Sequence, residues 1–500
     1  MAWPIPVLWY PTFGGYSAQP PEGISQTSEL LELQTAQNVI PDPLGAVVTR
    51  PGFSHARSTT TGASDAFNSM HHLQDLADEF ILWNSRDGKP YRDSANPPGV
   101  LAGGTAFTTG ANVLSRGTIF NNKLIVVSNA RNIPATISST PTWADLTGTP
   151  ARGVDVKSFA RRVCMFSPSD GTTTYRSIMS FTSANDDETA WTAPYTVNFL
   201  NFGRTGTDVN LLGGEIYKDH LIAFSEDRAY PVYATPNALL PMAFQDSLFS
   251  EDGGGPASIH SVVAANDRLY WISRSFDVKE LNGLGQPRSI GYPVQPFLRG
   301  LNDSRRIYTV GGWEPKYRMV CWALSNGSDT QHKNILALQV DTRRFYLHTI
   351  QVNSLTNRIV SGQLRLIGGH YNGLFSNLYD TSTTGDLQTA ASVIDTDTIT
   401  GLLHLGMLGV VKKVPYFVVE FDPIGTEVLT VQVDLDDTGS YTSVPESTYT
   451  MAGTNIKRAY FTITAPFERI VIRIRDNNSG ERYRALRIGF PRPIAVRVSR

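Results

Sequence analysis

The sequence predicts an all-β chain: a β-propeller of six or seven blades followed by a small C-terminal β-sandwich or barrel. Three observations lead there. Helix signals are scarce, one strand pattern recurs along the first 380 residues, and beyond residue 400 the pattern becomes a clean apolar/polar alternation. The chain has 500 residues, 41% of them hydrophobic, 10% aromatic and 18% charged. That is enough to bury a large core, and too aromatic and too sparsely charged for a disordered chain.

Residues 1–53 read as an N-terminal arm with one short helix, leading into the first blade. The helix is expected over Ser28–Asn38 (SELLELQTAQN), where Leu30, Leu31 and Leu33 precede Ala36, Ser28 can cap the start, and Pro41 and Pro43 stop it.

Residues 54–395 carry the repeat. Six apolar runs end in serine: DEFILWNS at Ser85, NNKLIVVS at Ser128, ARRVCMFS at Ser167, KDHLIAFS at Ser225, NDRLYWIS at Ser273 and YRMVCWALS at Ser325. A weaker copy, GHYNGLFS, ends at Ser376. The serines are spaced 43, 39, 58, 48, 52 and 51 residues apart, which is the range of propeller blades. A blade is a twisted sheet that cannot cover both of its faces alone, so it stacks radially between two neighbours. Its strands should then be apolar on both sides, as in Leu124–Val127 and Leu221–Phe224. Polar pairs such as Asn121-Asn122 and Asn266-Asp267 suit the hairpins that feed these strands. A string of β-sandwiches is the competing architecture.

A boundary is expected near Asp395–Gly401, with a sandwich-like domain over 400–490 and a C-terminal arm over 491–500. In ERIVIRIRD, Ile470, Ile472 and Ile474 face one way, while Arg469, Arg473 and Arg475 face the other. Between Lys457 and Arg500 there are eleven Lys/Arg against three acids, a local +8 inside a chain of net charge −2. This basic face, with Arg473, Arg475, Arg492, Arg497 and Arg500 as its interaction residues, reads either as a solvated sheet surface or as one that meets a phosphate backbone.

Catalytic and metal motifs are missing. The nine histidines are scattered, and no H-E-x-x-H, C-x-x-C, G-x-S-x-G or Walker loop occurs. Asp434, Asp436, Asp437 and Gly439 resemble the start of a calcium loop, but Pro445 stands where its bidentate acid belongs, so a hairpin tip is the simpler reading. SPSDGTTTY (Ser167–Tyr175) only half matches the Asp-box of sialidase-type propellers. No catalytic residue, cofactor or metal is therefore expected, and the chain is read as a non-enzyme. Two cysteines, Cys164 and Cys321, both in apolar runs, suit a reducing cytoplasm. The N-terminus lacks the positive region of a signal peptide, and no run of about 18 apolar residues exists to span a membrane.

A more specific likeness lies in Glu32–Phe53, ELQTAQNVIPDPLGAVVTRPGF. With Ala36, Asn38 and Val39, the turn at Gly45, and Arg50-Pro51-Gly52-Phe53, it resembles the opening of phage tail propeller proteins. The likeness continues through ARRVCMFS, LLGGEIYKDHLIAFSEDRAYPVYA, NDRLYWIS and the basic, strand-rich end, in order over most of the chain. The sequence thus looks like a tail nozzle or hub protein of short-tailed (podovirus-like) bacteriophages. The resemblance implies a virion protein assembled in the host cytoplasm. It implies a ring of six copies below portal and adaptor that lines the path of packaged double-stranded DNA, releases it at ejection, and docks tail fibres or spikes. A receptor- or carbohydrate-binding propeller is the alternative, and a glycoside hydrolase a more distant one.

Overall fold

A computed structural model describes residues 7–10, 13–19, 31–42, 46–55, 67–73, 79–84, 87–93, 99–110, 112–138, 142–203, 209–360, 362–371, 373–383, 386–387, 391–392, 394–405, 407–423, 428–450, 457–476, 483–491 and 493–496. Strands dominate it. Among the described residues no helix is long and apolar enough to cross a membrane.

Among the described residues, six successive four-stranded meanders, the second with a short fifth strand at Ala102–Gly103, and a seventh sheet of three consecutive strands completed by Gly52–His55 form the propeller. The innermost strands of blades 1–7 are Phe67–Leu73, Ser115–Phe120, Asp155–Phe159, Leu211–Tyr217, Val263–Ala265, Val310–Glu314 and Ser354–Val360. Each packs beside the next, and the seventh returns to the first. The serine-ended runs are the second strands of blades 1–6, for example Lys123–Ser128 and His220–Ser225.

Burial explains why those runs are apolar on both sides. Leu124 and Val126 pack towards Leu73, Ile81 and Trp83 of blade 1. Ile125 and Val127, one residue out of phase, pack towards Val156, Val163 and Met165 of blade 3. The same division repeats around the ring until Phe67 and Met70 of blade 1 meet Ile367 and Phe375 of blade 7.

Ser128, Ser167, Ser225, Ser273 and Ser325 are buried, and several close the turn into the third strand. Ser225 Oγ donates to the Arg228 carbonyl, Ser273 Oγ to that of Asp277, and Ser325 Oγ pairs with His332 Nδ1 at 2.9 Å. The hairpins before the runs at Asn121-Asn122, Ala160-Arg161 and Asn266-Asp267 have positive φ at both central residues, as tight two-residue turns require.

The weaker copy ending at Ser376 is out of phase. Ser376 lies in the third strand of blade 7, Phe375–Asp380, and the second strand is Gln363–Gly369. That strand ends in Gly-Gly rather than serine because there is no room: a Cβ on Gly368 would lie 2.6 Å from Val352 Cγ1, and one on Gly369 2.5 Å from Ser354 Oγ.

The N-terminal region differs from expectation in three ways. No helix forms at Leu31–Gln37; this stretch is a strand, antiparallel to Thr396–Thr400 and touching Leu347 of blade 6. (Ser28–Leu30 lie outside the described residues.) A bulge between Leu33 and Thr35 buries Leu33 and Ala36, three residues apart, and so imitates helical spacing. Gly52–His55 does not lead into the first blade but completes the last one, pairing with Phe375–Asp380 and so latching the ring shut. Finally, the described parts of residues 1–53 are not an arm. Val7–Tyr10 and Val47–Thr49 both pair with Tyr483–Pro491 near the other end of the chain.

The second domain is a sandwich of two sheets. One runs Val39–Pro41, Val47–Thr49, Tyr483–Pro491, Tyr416–Pro423, Lys457–Thr462. The other runs Leu31–Gln37, Thr396–Thr400, Ile470–Asp476, Val428–Leu435, Thr442–Thr450. Phe417, Val419, Phe421, Ile470, Ile472, Ile474 and Phe490 fill the space between them, in one continuous core with Leu33, Val39 and Val47 from the N-terminal strands. The expected C-terminal arm folds back where it is described, since Ile494–Ala495 pairs with Lys412–Lys413.

Candidate functional site

The innermost strands begin at one end of the propeller axis, and their first residues enclose a polar cavity of about 180 Å³. Arg116 is its centre. Arg116 Nε donates to Asp155 Oδ1 at 3.0 Å, and Nη2 to Glu215 Oε2 at 3.0 Å. Lys157 Nζ reaches the same Glu215 oxygen at 2.8 Å. Three blades are thus tied by two cations and two anions, all of them largely withdrawn from solvent.

Backbone groups hold the acids in place. Asp155 accepts the N–H of Val156 at 2.8 Å and that of Gly214 at 2.9 Å. Gly213, at φ +148°, makes room: a Cβ there would lie 2.4 Å from Asp155 Oδ2. Burial alone would weaken the Arg116 cation, but Asp155 and Glu215 more than offset this and hold it above its usual value. Burial also opposes the charge of Glu215, and Lys157 with Arg116 keeps it ionised.

Two histidines face this network. His71 Nε2 lies 2.8 Å from Ser115 Oγ, and burial together with the Arg116 charge pushes its pKa down to about 3. His260, in a short turn over Ile259–Ser261, is held well below the usual histidine value by burial and then by Arg116, His71 and Lys157. Both rings are neutral near pH 7, so the axis carries a balanced set of charges. Its chemistry is that of a closed ion-pair network rather than an acid–base pair with separated proton affinities.

A second polar cluster lies where propeller meets sandwich. Arg50, completely buried, forms a two-pronged ion pair with Asp386, one arm at 2.8 Å, and donates from Nε to Asn38 Oδ1 at 3.0 Å. Asn38 adopts φ 55° and donates to Thr349 Oγ1 at 2.6 Å and to the Asp395 carbonyl at 2.7 Å. His348 Nε2 bonds the Val39 carbonyl at 3.0 Å, and its Nδ1 meets the Tyr379 hydroxyl at 2.6 Å. Phe53 stacks on His370 with ring centroids 4.9 Å apart. The residues that carry the sequence likeness, Asn38, Val39, Arg50 and Phe53, therefore converge on one buried junction.

The ring of blades and its latch decide the architecture: this is a seven-bladed β-propeller joined to a β-sandwich. No protein-family model and no curated protein matches the chain. Among solved structures it is similar to the crystal structure of BBS1N in complex with ARL6DN soaked with mercury, at 11% identity and TM-score 0.40. It is likewise similar to the same complex soaked with lead, at 10% identity and TM-score 0.41. Each likeness covers 68% of this chain and 99% of the other.

The basic face of the sandwich is more neutral than its sequence. Arg473 and Arg475 do project from the outer side of Ile470–Asp476, but each is clamped by an aspartate, Arg473 by Asp397 at 2.6 Å and Arg475 by Asp395 at 3.0 Å. Arg484 pairs with Asp42 and Asp422, and Arg458 and Arg487 share Glu420 beneath the ring of Trp9. These five carboxylates lie outside the 457–500 segment, on adjacent strands that a linear charge count does not see. Arg492, Arg497 and Arg500 lie outside the described residues. Asp434 accepts the N–H groups of Thr438 and Gly439, closing a hairpin tip as its sequence suggests. Among the described residues no group of three metal-ligating side chains occurs.

Proposed function

We propose that this chain is a structural protein of a short-tailed bacteriophage tail. It would act as a nozzle or hub that assembles as a ring, six copies in expectation, below the portal and adaptor. The ring borders the path of packaged DNA, retains the genome until ejection and docks fibres or spikes. The reading is carried by one observation. The residues of the phage-like opening segment, Asn38, Val39, Arg50 and Phe53, all lie in the buried junction that welds propeller to sandwich. A welded two-domain block is a sound unit for a ring that must bear internal pressure, and ring closure uses head-to-tail contacts between different faces of the block.

The axial network narrows the geometry of this role. Double-stranded DNA has a major groove alone about 12 Å wide, whereas the propeller axis is filled by Arg116, Asp155, Lys157 and Glu215 around about 180 Å³ of space. On this reading the DNA path would run between copies rather than through a propeller.

Particle averaging of the purified protein or of the virion tests the proposal. A closed ring with an axial lumen is expected, and an isolated monomer under all assembly conditions would overturn it. The double variant Arg473→Ser, Arg475→Ser should fold and alter genome retention or ejection. Unchanged retention and ejection would leave these arginines as solvated partners of Asp397 and Asp395.

A further inference from the structure

A second cavity, of about 360 Å³, opens on the face of the propeller where the innermost strands begin. The apolar part of its wall comes from Leu114, Val154 and Leu212 of three successive blades and from Ile307, and the polar part includes Arg131, Glu226 and Arg274. Ser258 and His260 also line it, and His260 borders the axial cavity as well. The volume falls within the range of about 300–1,000 Å³ typical of small-molecule sites.

One cation in this cavity is not neutralised by the protein. Arg274 is paired with Glu226 at 2.5 Å, and both belong to the wall. Arg131 has no such carboxylate among the described residues; its one side-chain bond is a long contact from Nε to the Ser167 carbonyl at 3.4 Å. Burial, and then the neighbouring Arg176, work against its charge. The backbone that carries the guanidinium is held in place. Arg131 adopts φ 53° in the turn after Lys123–Ser128, and its N–H donates to the Ser128 carbonyl at 2.9 Å. Ser258 Oγ already accepts the His260 N–H, which leaves its hydroxyl proton to donate into the cavity.

We propose that this axial mouth binds a small organic acid: a single carboxylate on Arg131, with a short apolar body against Leu114, Val154, Leu212 and Ile307. The planar guanidinium takes a carboxylate two-pronged, and the ligand supplies the negative charge that the protein withholds. The apolar residues beside Arg131 favour a carboxylate that carries an apolar body over a bare phosphate.

Titration calorimetry of the full chain with hexanoate, hexanamide and inorganic phosphate tests this. Hexanoate should bind with a Kd on the order of 1 mM, the reach of so small a ligand. Hexanamide and phosphate should bind at least about tenfold more weakly, which is the worth of one charge-assisted pair. Arg131→Gln should lose about tenfold in hexanoate affinity while its unliganded thermal midpoint is unchanged or higher, because an uncompensated charge has been removed. Equal binding of hexanoate and hexanamide to the unaltered protein, phosphate binding as tight as hexanoate, or undiminished hexanoate binding by Arg131→Gln would each overturn the proposal. The ligand comparison needs no variant, so it stands even if Arg131→Gln fails to fold.

Discussion

At the scale of single residues, buried charge controls both stability and its pH dependence. Arg116 ties Asp155 and Glu215 across three blades, and Asp155 is fully buried. Arg116→Ala should cost about 3–5 kcal/mol, because it strands a buried carboxylate. Denaturant midpoints measure this, and a loss below about 1 kcal/mol would mean that water already neutralises the pair. Glu314 gives a pH signature. Burial raises its pKa from 4.5 to about 7, against two backbone N–H bonds from Lys316 and Leu366 and the charges of Arg365 and Lys316. Its folded form holds a proton that its unfolded form has lost, so its contribution is complete below pH 4.5 and fades as pH rises through 7. His348 has the opposite sign. Burial, then Arg50, lower it from 6.5 to about 3, so its contribution is complete above pH 6.5 and is lost as pH falls towards 3. Replacing Glu314 by Gln should therefore flatten the stability profile between about pH 4.5 and 7 without touching the acid limb. An unchanged slope over that interval would rule the assignment out.

At the scale of elements, the strands that bury both faces could be read from the sequence, and those that owe their place to distant partners could not. LIVV at 124–127 and LIAF at 221–224 announce themselves because blades on either side demand apolar residues at every position. Ile470, Ile472 and Ile474 announce a one-sided strand by strict alternation. Leu31–Gln37 misleads because its bulge replaces a period of two with a spacing of three. Gly52–His55 is silent for another reason: four residues hold no period, and its partner Phe375–Asp380 lies more than 300 positions away. The axial site was equally hidden, since Arg116, Asp155, Lys157, Glu215 and His260 come from four blades and share no local spacing. The latch can be tested directly. Phe53 is fully buried against His370, and Phe53→Ala should cost about 3–5 kcal/mol. Hydrogen exchange should quicken first in blades 7 and 1; a uniform rise over all seven blades would show that the ring opens elsewhere.

At the scale of the whole molecule, the junction predicts one unit rather than two. Arg50, Asn38 and His348 link strands of propeller and sandwich through buried hydrogen bonds, and one apolar core runs across the boundary. The unaltered chain should therefore melt in a single calorimetric transition, and Arg50→Met should split it into two. Two transitions in the unaltered chain would refute the weld. The pairing of Val7–Tyr10 with Tyr483–Pro491 has a consequence for how the protein is made. The strand at Val7–Tyr10 waits for a partner that emerges much later, and the latch at Gly52–His55 waits for blade 7. Contacts so distant along the chain close slowly. On the ribosome, blades 1–6 can stack in order while the early strands stand open-edged. A polypeptide that stops short of residue 483 lacks the central strand of one sandwich sheet, so that sheet cannot close until translation has passed this point.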